Sequence, residues 1–183
     1  MAKVYVFMAD GCEEVEALTP VDLLRRAGHE VCMVSIMGRL TITGAHNIQI
    51  GTEEGIEERD FGDGDLYLLP GGMPGTRYLG ENQKLTDLLT AQYGQGKRLA
   101  AICAAPSVFG KLGLLKGKKA VCYPGMESTL EGAEPVTDPV VTDGTITTAK
   151  GVGAAMDFGL ELIRLLDGAD KAQAIKEEVV YPY

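Results

Sequence analysis

The chain has 183 residues, 45% of them hydrophobic and 23% charged, and a formal net charge of −9. That length supports one well-cored domain and is short for two, so a single domain over residues 1–183 is expected. Basic residues come only in small groups such as Arg25-Arg26 and Lys116-Lys118-Lys119, which excludes a nucleic-acid partner, and no apolar run nears the ~20 residues that span a bilayer.

The opening "MAKVYVFMADG" has one lysine and a short apolar run without a small-residue cleavage site, so it reads as a first strand rather than a signal peptide. "DGCEEVEALTPVDLLRRAGHE" follows as a helix, with Asp10 able to cap, acids in the first turn and a stop at Gly28. "EVCMVSI" is a second buried strand, and "RLTITGAHNIQIG" alternates as a hairpin excursion with Gly44 near its turn. "DLYLLPGG" is a strand ending in a proline-glycine turn. "NQKLTDLLTAQYGQGK" is helical, with Leu85, Leu88 and Leu89 on one side and Gly94 or Gly96 at its end.

"RLAAIC" is a strand and "AAPSVFGKLGLL" a helix. "KKAVCYP" is a further strand, "PVVTDGTITTA" a hairpin turning at Asp143-Gly144, and "GAAMDFGLELIRLLDG" an amphipathic closing helix. Strands alternating with helices imply parallel βαβ units, hence an α/β protein of flavodoxin-like or Rossmann-like type. The cysteines, Cys12, Cys32, Cys103 and Cys122, form no C-x-x-C pair, and with two histidines there is no zinc set. Free thiols in a reducing, cytoplasmic setting are expected.

In an open α/β sheet, ligands bind beyond the carboxyl ends of the strands. That selects "MADGCEEVE", "PGGMPG", "CAAPS" and "CYPGMES". A cysteine on the sharp turn from strand to helix would display its sulfur to the first N–H groups of the helix, favouring thiolate and lowering its pKa below the ~8.5 of a free thiol. The alternative is a small buried hydrophobe at a strand end. On the first helix Pro20, Leu23, Leu24 and Ala27 share a face with Glu16 in its middle, and a carboxylate there must be paired or protonated. Glu13 lies at the edge of that arc, so geometry alone leaves both acids open. Glu14, pointing towards Arg25, reads as an ordinary helix-start acid.

His29 falls at the amino end of the sheet and reads as structural. His46, in the excursion, could reach the site from its own chain or a partner's, or be a surface-loop histidine. "LPGGMPG" offers a closely approaching backbone and an N–H for an oxyanion, but it matches neither phosphate-loop pattern.

"GCEEVEALTPVDLLRRAG", "LYLLPGGMPG", "AAICAAPSVFG" and "TTAKGVGAAMDFGLELI", in that order over nearly the whole chain, closely resemble the ThiJ/PfpI family, specifically its branch of the parkinsonism-associated deglycase. The resemblance implies a flavodoxin-like three-layer α/β/α sandwich with a mostly parallel sheet, Cys103 as the nucleophile and Glu16 as its acidic partner. It implies backbone oxyanion donors at Gly72 and Ala104, no cofactor and a homodimer. The activities it implies are a cofactor-independent glyoxalase acting on methylglyoxal, or a deglycase acting on glycated adducts. Oxidative-stress sensing through Cys103 and chaperone action are the nonenzymatic alternatives.

Ala104 stands where the protease-like branch has a histidine, which argues against a Cys-His peptidase. Tyr123 stands where the deglycase branch often has one, leaving base work to Glu16 or water. Tyr123, His46 and Arg26 are the expected substrate-contacting side chains.

Overall fold

The computed structural model describes residues 1–182. Eleven strands run in chain order: β1 (Lys3–Met8), β2 (Glu30–Ser35), β3 (Thr41–Thr43), β4 (Gln49–Gly51), β5 (Glu54–Gly55), β6 (Leu66–Leu69), β7 (Arg98–Ile102), β8 (Lys119–Ala120), β9 (Glu134–Pro135), β10 (Val140–Asp143) and β11 (Ile146–Ala149). Six α-helices alternate with them: α1 (Glu14–Arg26), α2 (Gly75–Glu81), α3 (Gln83–Gly94), α4 (Pro106–Lys111), α5 (Ala155–Asp167) and α6 (Ala169–Glu178).

Seven strands form one sheet in the order β10-β11-β7-β6-β1-β2-β5. Every pairing in it is parallel except the β10–β11 hairpin at one edge. The chain leaves β1 for β2 on one side and then crosses to β6 on the other, so strand order reverses around β1 and a crevice opens at its carboxyl end. The carboxyl ends of β1, β6 and β7 are neighbours there, and the candidate residues follow those three strands.

Period-two alternation splits the apolar side chains of each strand between two cores. Val4, Val6 and Met8 of β1 face the layer of α1, α5 and α6, where Leu23, Leu24, Phe158 and Leu162 are buried. Tyr5 and Phe7 face the other layer, with Tyr67, Leu85, Leu89 and Phe109. Both faces of the sheet are therefore covered, as parallel sheets require. Among the described residues no helix is long and apolar enough to cross a membrane.

The expected α/β sandwich and its main strands and helices are present, with several local differences. Asp10 does not cap α1: its carboxylate accepts from Thr43 N–H at 2.9 Å and pairs with Arg39, and Glu13 holds the cap position without a side-chain bond. Helix α2 arises within a stretch that reads as a glycine-proline turn, because burial of Thr76 and Leu79 outweighs poor local propensity. Helix α4 ends at Lys111, and only Lys119 and Ala120 of "KKAVCYP" enter a strand. Helix α6 buries only Ile175 and packs on α5.

Phe158 is fully buried between α5 and the sheet. Phe158→Ala is expected to remove about 3–5 kcal/mol of unfolding free energy, measured by urea titration; a loss under about 1 kcal/mol would mean this layer can collapse around the cavity.

Candidate active site

Three strand ends build the site. After β7 the chain turns through Cys103, whose φ is +64°. A non-glycine residue in the left-handed region is held there by its surroundings. Here Cys103 N–H donates to Ala149 O at 2.9 Å and Cys103 O accepts Tyr123 N–H at 2.8 Å, so the bend is clamped from both sides. Pro106 then opens α4 at a position that needs no intrahelical N–H.

After β1, Glu13 N–H donates to Gly71 O at 3.0 Å, which ties the start of α1 to the turn after β6. Less than a turn into the helix, Glu16 is fully buried. Its Oε2 accepts Gly71 N–H at 3.1 Å, and the carboxyl group also faces the Cys103 thiol and the Val152 N–H. Gly71 must lack a side chain, since a Cβ there would lie 2.5 Å from Glu16 Oε2 and 2.7 Å from Cys103 Cβ. Gly72 takes a φ of +87° and turns its N–H, with that of Ala104, towards Cys103 Sγ.

Burial pushes Glu16 up to about 7; its hydrogen bond with Cys103 opposes this, and the charge of Glu13 adds to it. Burial likewise pushes the Cys103 thiol up to about 12, with the charge of Glu16 adding and the Ala104 and Gly72 N–H groups opposing. The expected lowering of the thiol by the helix N-terminus is thus overturned. Helix α4 has only six residues, and its N–H groups are outweighed by loss of water and by an adjacent carboxylate. What the geometry favours instead is one proton shared by two groups. Thiol beside carboxylate and thiolate beside carboxylic acid carry the same charge, so the proton can move from Sγ to the Glu16 carboxyl without a second buried charge.

The pair opens into a cleft of about 450 Å³ bordered by Glu13, Gly72, Tyr123, Lys150 and the Gly151–Gly153 turn. Of the residues expected to contact substrate, Tyr123 is on this cleft. His46 is not: its Nδ1 lies 2.9 Å from Glu14 Oε2 and 3.3 Å from Glu13 Oε2, behind the wall that Glu13 makes. Arg26 is far from it, paired with Asp22 at 2.7 Å and Glu178 at 3.0 Å at the opposite end of α1. Glu14 does lie in the first turn of α1, but it is buried and bonded to His46 and does not meet Arg25, which pairs with Glu53. His29 is buried with Asp167 3.1 Å from its ring.

Lys150 and the Gly151–Gly153 turn were not expected here, although "TTAKGVG" directly follows β11 and so obeys the same strand-end rule. Among the described residues, Glu13, Glu14 and His46 form the one group whose ligand-type atoms lie within 4.8 Å of one another, and its hydrogen bonds already engage Glu14.

Residues 2–165 match the model of the DJ-1/PfpI family. Protein dj-1beta of Drosophila melanogaster is 34% identical over 180 residues, covering 97% of this chain and 96% of that protein. A protein named deglycase from Pyrococcus abyssi is 30% identical over 166 residues, 90% of this chain and 99% of its own length. The solved structure of oxidized Toxoplasma gondii DJ-1 superposes with a TM-score of 0.93 at 33% identity, covering all of both chains.

Glu16 rises from 4.5 to about 7 on folding, so between those values the folded protein holds more protons than the unfolded chain, and stability falls as pH rises. The contribution is on the order of 3 kcal/mol and is fully lost above about pH 7. Unfolding free energies at pH 4.5 and pH 8 are expected to differ less in Glu16→Gln than in the parent by that order; equal differences would assign the effect to another group.

Proposed function

The chain belongs to the DJ-1/PfpI family, and from that premise we propose that it is a cysteine-dependent, cofactor-independent enzyme of glyoxalase and deglycase type, acting on methylglyoxal or its adducts. The observation that carries this reading is the buried Glu16 carboxyl hydrogen-bonded to a thiol that also faces two backbone N–H groups. The name of the Pyrococcus abyssi relative supports the deglycase side of it.

Cys103 Sγ adds to the aldehyde carbon as its proton passes to Glu16, and the oxyanion, held by the N–H groups of Gly72 and Ala104, takes a proton to complete a hemithioacetal. Glu16, again a carboxylate, removes the proton from C1. The electron pair moves to the neighbouring ketone, whose oxygen takes that proton back from Glu16 to give an enediol, and the C1 hydroxyl then gives up its proton through Glu16 to C2. C1 is then oxidised to a thioester and C2 reduced to an alcohol, with no external oxidant. Water cleaves the thioester, releasing lactate and restoring the thiol. A carboxyl group near 7 suits this work because both of its forms are populated at neutral pH. Tyr123, on the rim, is positioned to hold the substrate's second oxygen.

A nonenzymatic reading uses the same atoms. A first peroxide molecule converts the thiol to sulfenic acid and water, and a second gives sulfinic acid, whose oxygens would accept from Gly72, Ala104 and protonated Glu16. The chemistry of the cleft thus also suits redox sensing in a stress response. A homodimer is supported by exposed apolar side chains near the cleft: Val15 and Leu18 on α1, Ile48 on the hairpin bonded to Glu14, and Val152. Leu18→Glu is expected to halve the mass read by light scattering; an unchanged mass would move the interface elsewhere.

The deciding experiment is lactate formation from methylglyoxal without glutathione. Cys103→Ala is expected to abolish turnover and Glu16→Gln to lower it by about 10²–10⁴-fold. Absence of lactate with the parent protein, or undiminished activity in Cys103→Ala, would overturn the enzymatic reading.

A further inference from the structure

We propose that His46, which lies outside the cleft, is a positioning residue for the Glu16–Cys103 pair: its imidazolium holds and offsets the Glu13 carboxylate, and so sets how readily the pair releases its proton. The inference rests on the geometry of the pair and not on turnover, so it survives if the chain converts no aldehyde.

Glu13 is the link between the two places. It borders the cleft together with Glu16 and Cys103, and its Oε2 lies 3.3 Å from His46 Nδ1. Its side chain is only 13% exposed, so water and salt screen its charge incompletely. Its backbone is fixed at both ends: the N–H donates to Gly71 O at 3.0 Å, and the carbonyl accepts Ala17 N–H at 3.1 Å.

The imidazole is held just as closely. His46 N–H donates to Glu14 Oε1 at 2.8 Å, and Nδ1 lies 2.9 Å from Glu14 Oε2, so one buried carboxylate fixes both the backbone and the ring of His46. The hairpin that carries His46 is bonded to the start of α1, with Ala45 N–H donating to Cys12 O at 2.8 Å and Gly11 N–H to Thr43 O at 2.7 Å. A Cβ on Gly44 would collide with the Glu14 carboxylate, so this close approach requires glycine there. The ring is exposed on its outer side, yet it has one position relative to Glu13.

Two carboxylates converge on one ring nitrogen, which favours the imidazolium. The bond to Glu14, with the charges of Glu13 and Glu14 adding, raises His46 above its ordinary value. The charge of Glu13 in turn raises Glu16. An imidazolium beside Glu13 offsets that charge as felt at Glu16, and a neutral imidazole does not. The pair therefore ionises at lower pH while His46 carries its proton. Among the described residues, the other charged and titratable groups around this corner are Asp10, paired with Arg39, Lys150 across the cleft, and Cys12, which burial pushes up to about 12 and keeps as a thiol. His46 is thus the neighbour of Glu13 whose ordinary value lies near neutrality.

Alkylation of Cys103 by iodoacetamide, an uncharged reagent, tests this on the full chain. The rate of labelling of the Cys103 peptide is followed by mass spectrometry from about pH 5 to about pH 9, the range that brackets an ordinary imidazole. His46→Asn, which keeps a hydrogen-bonding side chain without the charge, is expected to move the midpoint of the rate profile up by about 0.5–1 pH unit, slowing alkylation about three- to tenfold below the midpoint. Glu13→Gln is expected to move it down by a similar amount. His46→Arg, with a permanent charge, should hold it at or below the parent's. An unchanged or lower midpoint in His46→Asn, an unchanged or higher one in Glu13→Gln, or a midpoint in His46→Arg as high as in His46→Asn would each overturn the proposal. Lactate formation, measured separately, reports on the enzymatic reading alone.

Discussion

The structure around the candidate site depends on one close approach: a fully buried carboxyl group set against a thiol where three strand ends meet. Burying either group alone raises its pKa, and burying both as anions would bring two unscreened negative charges together. The pair avoids this by holding one negative charge and one mobile proton between them. Backbone N–H groups of Gly71, Gly72, Ala104 and Val152 face that charge.

That arrangement dictates much of the local backbone. Cys103 occupies a left-handed conformation that ordinary residues avoid, held by hydrogen bonds to Ala149 and Tyr123. Gly71 is confined to hydrogen because Glu16 and Cys103 close over it. Strain at the elbow is carried by the flanking parallel strands, whose side chains are buried on both faces and leave it little freedom to relax. The crossing of the chain from β2 to β6 around β1 brings these loops side by side, so topology and chemistry meet at one place.

The same constraint bears on reactivity. A thiol raised by burial is a poor nucleophile until its proton has somewhere to go, and the group hydrogen-bonded to it here is the Glu16 carboxyl. Reactivity at this cysteine is therefore a property of a pair of groups. It cannot be assigned to the helix that follows, which is too short to dominate the field.

Much of this was legible in the residues. Short apolar runs alternating with helices determined the parallel sheet, the small residues around Cys103 marked the turn, and Glu16 betrayed itself by lying on an apolar arc. Helix α2 was not legible, because a glycine-containing segment becomes helical here only through packing against its neighbours. The contact of Glu14 with His46, the distance of Arg26 from the cleft and the arrival of Lys150 at its rim were decided by tertiary structure alone. So was the direction in which the thiol shifts. Local pattern reports which face of an element is apolar; how far a charge is removed from water, and what stands next to it, depends on residues distant in the chain.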